Sequence, residues 1–191
     1  MAVSMTTGRI LNIPNILTLA RIALIPVFLL IAYWPPAVGV NGHDGGMTRH
    51  LVLTGIFVIA AITDWFDGYL ARTLNQTSAF GRFLDPVADK LMVAAALIVL
   101  VQWKPSIAMA FAAIVIISRE ITVSALREWM AELGARTNVA VSTVGKYKTA
   151  FQMIAITVFL LNWQPLETLA YGLLYTSVIL TLWSMFIYLK A

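Results

Sequence analysis

The amino-acid sequence predicts an all-α fold, an integral membrane bundle of six transmembrane helices with a polar cavity open to the cytoplasm. Of its 191 residues, 60% are apolar and only 12% are charged, which is about half the charged fraction of a typical soluble domain. A water-soluble fold of this length could not bury so much apolar surface, so lipid must solvate much of it. Long apolar segments alternate with short polar connections, and the charges gather at one end of these segments.

Six apolar segments are close to the length of a membrane span, which is about 20 residues. They are Pro14–Trp34, Leu51–Leu70, Pro86–Trp103, Ile107–Leu126, Gly145–Trp163 and Leu166–Leu189. Turn-forming residues such as Lys104-Pro105 and Gln164-Pro165 separate them. We expect one domain, residues 1–191. Residues 1–13 form an N-terminal juxtamembrane segment that is retained, because it lacks the apolar core and cleavage pattern of a signal peptide.

The distribution of charge predicts the orientation. In an antiparallel bundle, the end of the second segment, the start of the third, the end of the fourth and the start of the fifth share one side. Of the 13 Lys and Arg residues, all but Arg49 and Lys104 fall on that side. The positive-inside bias makes this side cytoplasmic, with both termini there. An intramembrane charge costs roughly 2.5–3.5 kcal/mol on insertion scales, so charges grouped at one depth predict a polar cavity.

Composition excludes several kinds of site. The chain has no cysteine, which rules out disulfides and thiolate metal sites. His43 and His50 bracket a glycine-rich stretch that reads as a solvated loop. The net charge of +4 reflects topology and anionic lipid, and we expect no nucleic-acid partner.

Four aspartates at helical spacing predict a divalent-metal site. Asp64 and Asp67 are three residues apart, and Asp85 and Asp89 are four apart, so each pair shares one helical face. Converging carboxylates repel one another and resist ionisation. Mg²⁺ or Mn²⁺ would resolve this, because both prefer carboxylate oxygens and commonly bridge substrate phosphates. A cation-coupled transporter is the alternative from another class, although it would place charge at the membrane midplane and not on one side.

The aspartates belong to a longer pattern, D-x-x-D-G-x-x-A-R followed by G-x-x-x-D-x-x-x-D. It is filled by Asp64, Asp67, Gly68, Ala71, Arg72, Gly81, Asp85 and Asp89. This pattern resembles the signature of the CDP-alcohol phosphotransferases. The stretches 12–21, 118–128 and 145–149 are similar to bacterial members of that family that use glycerol 3-phosphate.

The resemblance implies a six-helix fold, usually a homodimer, in the bacterial inner (cytoplasmic) membrane, with the active site on the cytoplasmic side. It also implies transfer of the phosphatidyl group from CDP-diacylglycerol to sn-glycerol 3-phosphate, with release of CMP. The first three aspartates, Asp64, Asp67 and Asp85, would bind Mg²⁺ or Mn²⁺, with two ions expected. Asp89 would be the general base and also contact a metal ion.

Substrate contacts follow from the same resemblance. The CDP-lipid would contact Gly68, Ala71, Arg72 and Gly81. The acceptor carries a phosphate, which cytoplasmic-side basic residues would bind, with arginine bidentate where it is used; these are Arg119, Arg127, Lys146 and Lys148. Arg21 is a weaker candidate, because it would either snorkel or pair with an aspartate.

The identity of the acceptor stays open between members of the family. Inositol phosphate, serine and phosphatidylglycerol are the alternatives to glycerol 3-phosphate. Four basic residues favour an acceptor with a phosphate, which weakens serine but does not separate glycerol 3-phosphate from inositol phosphate.

Overall fold

The computed structural model describes residues 13–34, 45–73, 79–132 and 143–190. The described residues contain no strand and form six α-helices: α1 (Ile13–Tyr33), α2 (Gly45–Thr73), α3 (Ala79–Trp103), α4 (Ile107–Glu132), α5 (Thr143–Leu161) and α6 (Glu167–Lys190). A short 3-10 helix, Gln164–Leu166, precedes α6. The predicted all-α class is confirmed. Each predicted apolar segment falls on its own helix, apart from one or two residues at some ends.

Three helices extend well beyond the apolar segments that predicted them. Helix α2 begins at Gly45 and not at Leu51, α3 begins at Ala79 and not at Pro86, and α4 ends at Glu132 and not at Leu126. Polar residues at the ends of an apolar run continue the backbone hydrogen-bond ladder, so hydropathy underestimates helix length. Asp85, the one motif aspartate outside the predicted segments, lies inside α3 because that helix begins earlier, so all four aspartates are in helices.

Within the part of the chain that the structure describes, four helical stretches are long and apolar enough to cross a membrane: Asn15–Tyr33, Gly46–Asp64, Ile107–Leu126 and Gln164–Phe186. Helix α5 contributes a shorter apolar stretch, Tyr147–Leu161. Length and composition therefore indicate a membrane protein, while the number of six spans stays a prediction.

The described residues group into two compact units, and the division between them falls between Ala95 and Ala96 in the sequence. In the first unit α1 packs against α2, with Phe28 and Phe57 almost completely buried. In the second unit α6 packs against α5 and α4. The ring of Phe159 meets that of Tyr171 edge to face, with centroids 4.8 Å apart. The interpretation of the chain as a single domain stays a prediction.

Local sequence signals explain where α4 begins and where α5 ends. Ser106 precedes α4, and its Oγ accepts a hydrogen bond from the backbone N–H of Met109 at 3.1 Å, which satisfies a donor in the first turn. Helix α5 ends where Asn162 adopts a left-handed φ of 53°. Asparagine tolerates this conformation better than most residues, so it is a common helix stop.

Helices α1 and α6 turn polar side chains inward and apolar side chains outward. Asn15, Thr18 and Arg21 of α1 are buried, and so are Ser177, Thr181 and Ser184 of α6. On the same helices large apolar side chains are exposed, among them Leu30 and Phe186. In lipid this arrangement is favourable, because exposed apolar side chains meet acyl chains while buried polar groups can find partners between helices.

Candidate active site

In the first unit, a buried arginine holds the first aspartate of the motif. Arg21 Nη1 of α1 donates a hydrogen bond to Asp64 Oδ1 of α2 at 2.6 Å. The Arg21 side chain is 1% exposed, whereas that of Asp64 is 40% exposed. Of the two uses the sequence allowed for Arg21, the structure shows the pairing with an aspartate. Asp64 thus has one side fixed by the protein and another open to a ligand.

The helices place the four aspartate positions as the spacing predicted. Positions 64 and 67 lie in α2, and positions 85 and 89 lie in α3, so the members of each pair are separated by about one helical turn. Asp89 is half-buried. No three His, Cys, Asp or Glu side chains come together within the described part of the chain. That statement leaves out Asp67 and Asp85, so the predicted metal-ligand set is not tested.

For eight predicted site residues the structure describes only the helical backbone. They are Asp67, Gly68, Ala71, Arg72, Gly81, Asp85, Arg127 and Lys146. Their assignment to metal, CDP-lipid or acceptor phosphate stays a prediction.

In the second unit, the structure brings Arg119 and Lys148 together on one carboxylate. Arg119 Nη1 of α4 donates to Oε1 of the adjacent Glu120 at 3.0 Å. Lys148 Nζ of α5 donates to the same Glu120 oxygen. A second bond holds the guanidinium from the other side, since Arg119 Nη2 donates to Ser184 Oγ of α6 at 2.6 Å. Two of the four predicted acceptor-phosphate residues are therefore neighbours that share the Glu120 carboxylate, and Ser184 holds Arg119 from α6.

This cluster of Arg119, Glu120, Lys148 and Ser184, here called the basic cluster, is largely buried. The side chains of Arg119 and Lys148 are 9% and 5% exposed, and that of Glu120 is 23% exposed. Arg119 Nε is buried and has no hydrogen-bond partner within the described ranges. A buried donor without an acceptor is costly, so the cluster has a donor that an anionic ligand could use.

Residues 11–183 match the family described as CDP-alcohol phosphatidyltransferase. The chain belongs to this family. The resemblance carried by the aspartate signature is therefore confirmed over most of the chain. The matched residues include all four aspartates, Arg119 and Lys148, and they end immediately before Ser184.

This CDP-alcohol phosphatidyltransferase is also similar to individual bacterial proteins over almost their whole length. A protein of Pectobacterium atrosepticum is 50% identical over 183 residues, which cover 94% of each chain. One of Salmonella typhimurium is 48% identical with the same coverage. One of Haemophilus influenzae is 48% identical over 94% of this chain and 92% of its own. All three are named CDP-diacylglycerol–glycerol-3-phosphate 3-phosphatidyltransferase.

The sequence did not predict one residue of the basic cluster. Ser184 lies in the last apolar segment, and nothing in its immediate neighbours marks it. The available signal was periodic: Ser177, Thr181 and Ser184 are spaced by four and three residues, which places three hydroxyls on one face of an otherwise apolar helix. Such a stripe predicts a buried polar face, although it does not name the partner.

Proposed function

We propose that this protein transfers the phosphatidyl group of CDP-diacylglycerol to sn-glycerol 3-phosphate, giving phosphatidylglycerophosphate and CMP. The observation that carries the proposal is the 48–50% identity, over 94% of this chain, to proteins whose name states this donor and this acceptor. The basic cluster supports it, because Arg119 and Lys148 offer charged donors that suit a phosphorylated acceptor.

The four aspartates are suited to Mg²⁺ or Mn²⁺, and two ions are the number we propose. Carboxylate oxygens are the ligands that these cations prefer, and the 40% exposure of the Asp64 side chain leaves it accessible. Asp64, Asp67 and Asp85 would hold the metal, with Asp89 adjoining it. When bound, the metal would supply charge stabilisation at the diphosphate and on the departing CMP.

The chemical step we propose is a displacement at the phosphorus that bears the diacylglycerol. The acceptor hydroxyl oxygen bonds to that phosphorus, the bond from the phosphorus to the CMP oxygen breaks, and the hydroxyl proton passes to the Asp89 carboxylate. A positioned carboxylate base contributes about 10²–10⁴-fold to such a step. Arg21 supports the step indirectly, by fixing the Asp64 carboxylate in one orientation.

Substrate contacts are assigned to two sets of residues. Gly68, Ala71, Arg72 and Gly81 would contact the CDP-lipid. The acceptor phosphate would bind Arg119 and Lys148, together with Arg127 and Lys146. For Arg119 the support is its unused buried Nε donor, because a phosphate offers acceptors in the plane of the guanidinium.

We infer an arrangement of six spans in the bacterial inner membrane, with both termini and the active site cytoplasmic and two copies forming a homodimer. The one-sided placement of all Lys and Arg residues but Arg49 and Lys104 supports the orientation. The acyl chains of CDP-diacylglycerol would then remain in lipid while its head group meets the water-soluble acceptor inside a polar cavity.

An acceptor comparison tests the proposed function. Purified protein in detergent receives CDP-diacylglycerol, Mg²⁺ or Mn²⁺, and one of glycerol 3-phosphate, inositol phosphate, serine or phosphatidylglycerol, and CMP release is measured. Of the four acceptors, we expect only glycerol 3-phosphate to support CMP release. Addition of a chelator should abolish that release. Release with inositol phosphate or serine but not with glycerol 3-phosphate would move the protein to another acceptor within the family. A lack of CMP release with every acceptor would exclude the proposed chemistry.

A further inference from the structure

We propose that Ser184 is a positioning residue, whose hydroxyl fixes the Arg119 guanidinium in the orientation that receives the acceptor phosphate. The inference rests on the proposed function, since it deepens the assignment of Arg119 to that phosphate. It adds a residue from α6 to the proposed site. Neither the aspartate motif nor the basic residues predicted to bind the acceptor phosphate lie in that helix.

The geometry of the two bonds is the first support. An arginine side chain is long and flexible, so a buried guanidinium takes a single orientation only when several of its donors are bound. Glu120 Oε1 accepts from Nη1 at 3.0 Å and Ser184 Oγ accepts from Nη2 at 2.6 Å. Two terminal nitrogens held by two different helices fix the plane of the group. The Nε donor is left without a partner within the described ranges.

A second serine on the same helix shows that this contact is not a general property of hydroxyls in α6. Ser177 is completely buried, but its Oγ donates to the carbonyl oxygen of Leu174 in its own helix at 2.7 Å. A bond of that kind is common for serine in apolar helices. The Ser184 hydroxyl instead meets a side chain 65 residues away in sequence. Ser177 is therefore a matched control of equal chemistry and similar burial.

The shared carboxylate explains why the loss of Ser184 would reach the phosphate site. Glu120 Oε1 serves Arg119 and Lys148 at once. Without the Ser184 oxygen, Arg119 keeps Glu120 as the only described anchor of its guanidinium. The group can then rotate about that anchor and compete with Lys148 for the same oxygen. Both proposed phosphate contacts would lose their fixed positions, whereas the aspartate motif is not part of this cluster.

The test compares Ser184→Ala, Ser184→Thr and Ser177→Ala with the wild type in full-length protein. The kinetic measurements are kcat, the KM for glycerol 3-phosphate and the KM for CDP-diacylglycerol. A separate measurement is the rise in Tm that inorganic phosphate produces in the absence of CDP-diacylglycerol. We expect Ser184→Ala to raise the KM for glycerol 3-phosphate by roughly tenfold, because a hydrogen bond to a charged group is lost. Its kcat and its KM for CDP-diacylglycerol should stay within about twofold of the wild type. A purely structural role of Ser184 would not confine the effect to the KM for glycerol 3-phosphate.

The two further variants complete the expected pattern. Ser184→Thr keeps the hydroxyl and should restore most of the affinity for glycerol 3-phosphate. Ser177→Ala should leave both KM values within about twofold, even where it lowers Tm, because its bond is local. The rise in Tm with inorganic phosphate should be smaller in Ser184→Ala than in the wild type and unchanged in Ser177→Ala.

Specific outcomes would overturn the inference. Equal effects of Ser184→Ala and Ser177→Ala on every constant would reduce Ser184 to packing, as would an equal rise of both KM values in Ser184→Ala. The phosphate measurement separates this inference from the proposed function. If the wild type releases CMP only with a different phosphorylated acceptor, while phosphate stabilisation is weakened in Ser184→Ala alone, the proposed acceptor is wrong and the positioning role stands. If phosphate stabilises the wild type and both alanine variants equally, the positioning role is wrong whatever the acceptor.

Discussion

Arg21 and Asp64 form a hydrogen-bonded ion pair between α1 and α2, with 2.6 Å between Nη1 and Oδ1. The cation is almost completely buried and the carboxylate is partly exposed. A residue that holds a proposed metal ligand commonly affects activity nearly as much as the ligand itself, because it fixes the ligand's orientation. The pair therefore ties a residue outside the aspartate signature to the proposed chemistry.

The first prediction concerns Arg21. Arg21→Ala removes the donor that orients Asp64, and we expect kcat/KM for CMP release to fall by about 10–100-fold. Arg21→Lys keeps the charge but loses the planar geometry of the guanidinium, so it should recover only part of the loss. The measurement is the initial rate at saturating metal.

Arg49→Ala is the control for Arg21→Ala. Arg49 also lies in the first unit, and its Nη1 donates to the backbone carbonyl of Trp34 at 3.5 Å and not to an aspartate of the motif. We expect it to change activity by less than about twofold. A similar loss in both arginine variants would contradict the specific role of Arg21 and point to a general loss of positive charge.

The second prediction concerns the proposed base. Asp89→Asn removes the proton acceptor with little change in side-chain volume. We expect turnover to fall by about 10²–10⁴-fold, the range for loss of a general base. Binding of CDP-diacylglycerol, measured by its stabilisation of the protein against thermal unfolding in the presence of Mg²⁺, should be largely retained. Asp64→Asn provides the contrast, because loss of a metal ligand should raise the metal concentration needed for half-maximal activity. Substantial turnover in Asp89→Asn would show that the base lies elsewhere.

The third prediction concerns Arg119. Arg119→Ala removes charge-assisted hydrogen bonds to the acceptor phosphate, and we expect the KM for glycerol 3-phosphate to rise about 10–100-fold. The KM for CDP-diacylglycerol should change little. Lys104→Ala is the matched loss of a cation in the same unit: Lys104 Nζ pairs with Glu167 Oε1 at 2.7 Å, and both side chains are partly exposed. A partly exposed pair of this kind contributes little, so the control should remain active. An effect of Arg119→Ala confined to CDP-diacylglycerol would contradict its assignment to the acceptor.

The fourth prediction concerns orientation in the membrane. The chain has no cysteine, so a single introduced thiol can be labelled without background. Gln164 is exposed just before α6, on the side predicted to face away from the cytoplasm. Gln164→Cys should react with a membrane-impermeant maleimide in intact cells, and Ser78→Cys, between α2 and α3, should react only after permeabilisation. The reverse pattern would invert the proposed topology.

The sequence predicted the helices and the aspartate spacing because both depend on neighbouring residues. Apolar length identifies a span, and three- or four-residue spacing places residues such as Asp64 and Asp67 on one helical turn. The family signature then gave residue roles that spacing alone could not. The helix bounds were less accurate, because the polar turns that begin α2 and α3 carry no hydropathy signal.

Contacts between distant helices could not be predicted in the same way. Arg21 had two plausible uses, and only the packing of α1 against α2 selects Asp64. The pairing of Arg119 with Ser184 depends on which faces of α4 and α6 meet. A serine in an apolar segment has many possible partners, including its own helix, as Ser177 shows. Tertiary packing decides among partners that local sequence leaves equivalent.

Transfer of labelled glycerol 3-phosphate into lipid tests the central claim most directly. Radiolabelled glycerol 3-phosphate, CDP-diacylglycerol and Mg²⁺ are incubated with the wild type and with Asp89→Asn, and both the label in the organic phase and the released CMP are quantified. The account predicts that the wild type moves label into a phosphorylated lipid in equal amount to the CMP released, and that Asp89→Asn moves almost none. Release of CMP by the wild type while the label stays in the aqueous phase would contradict it.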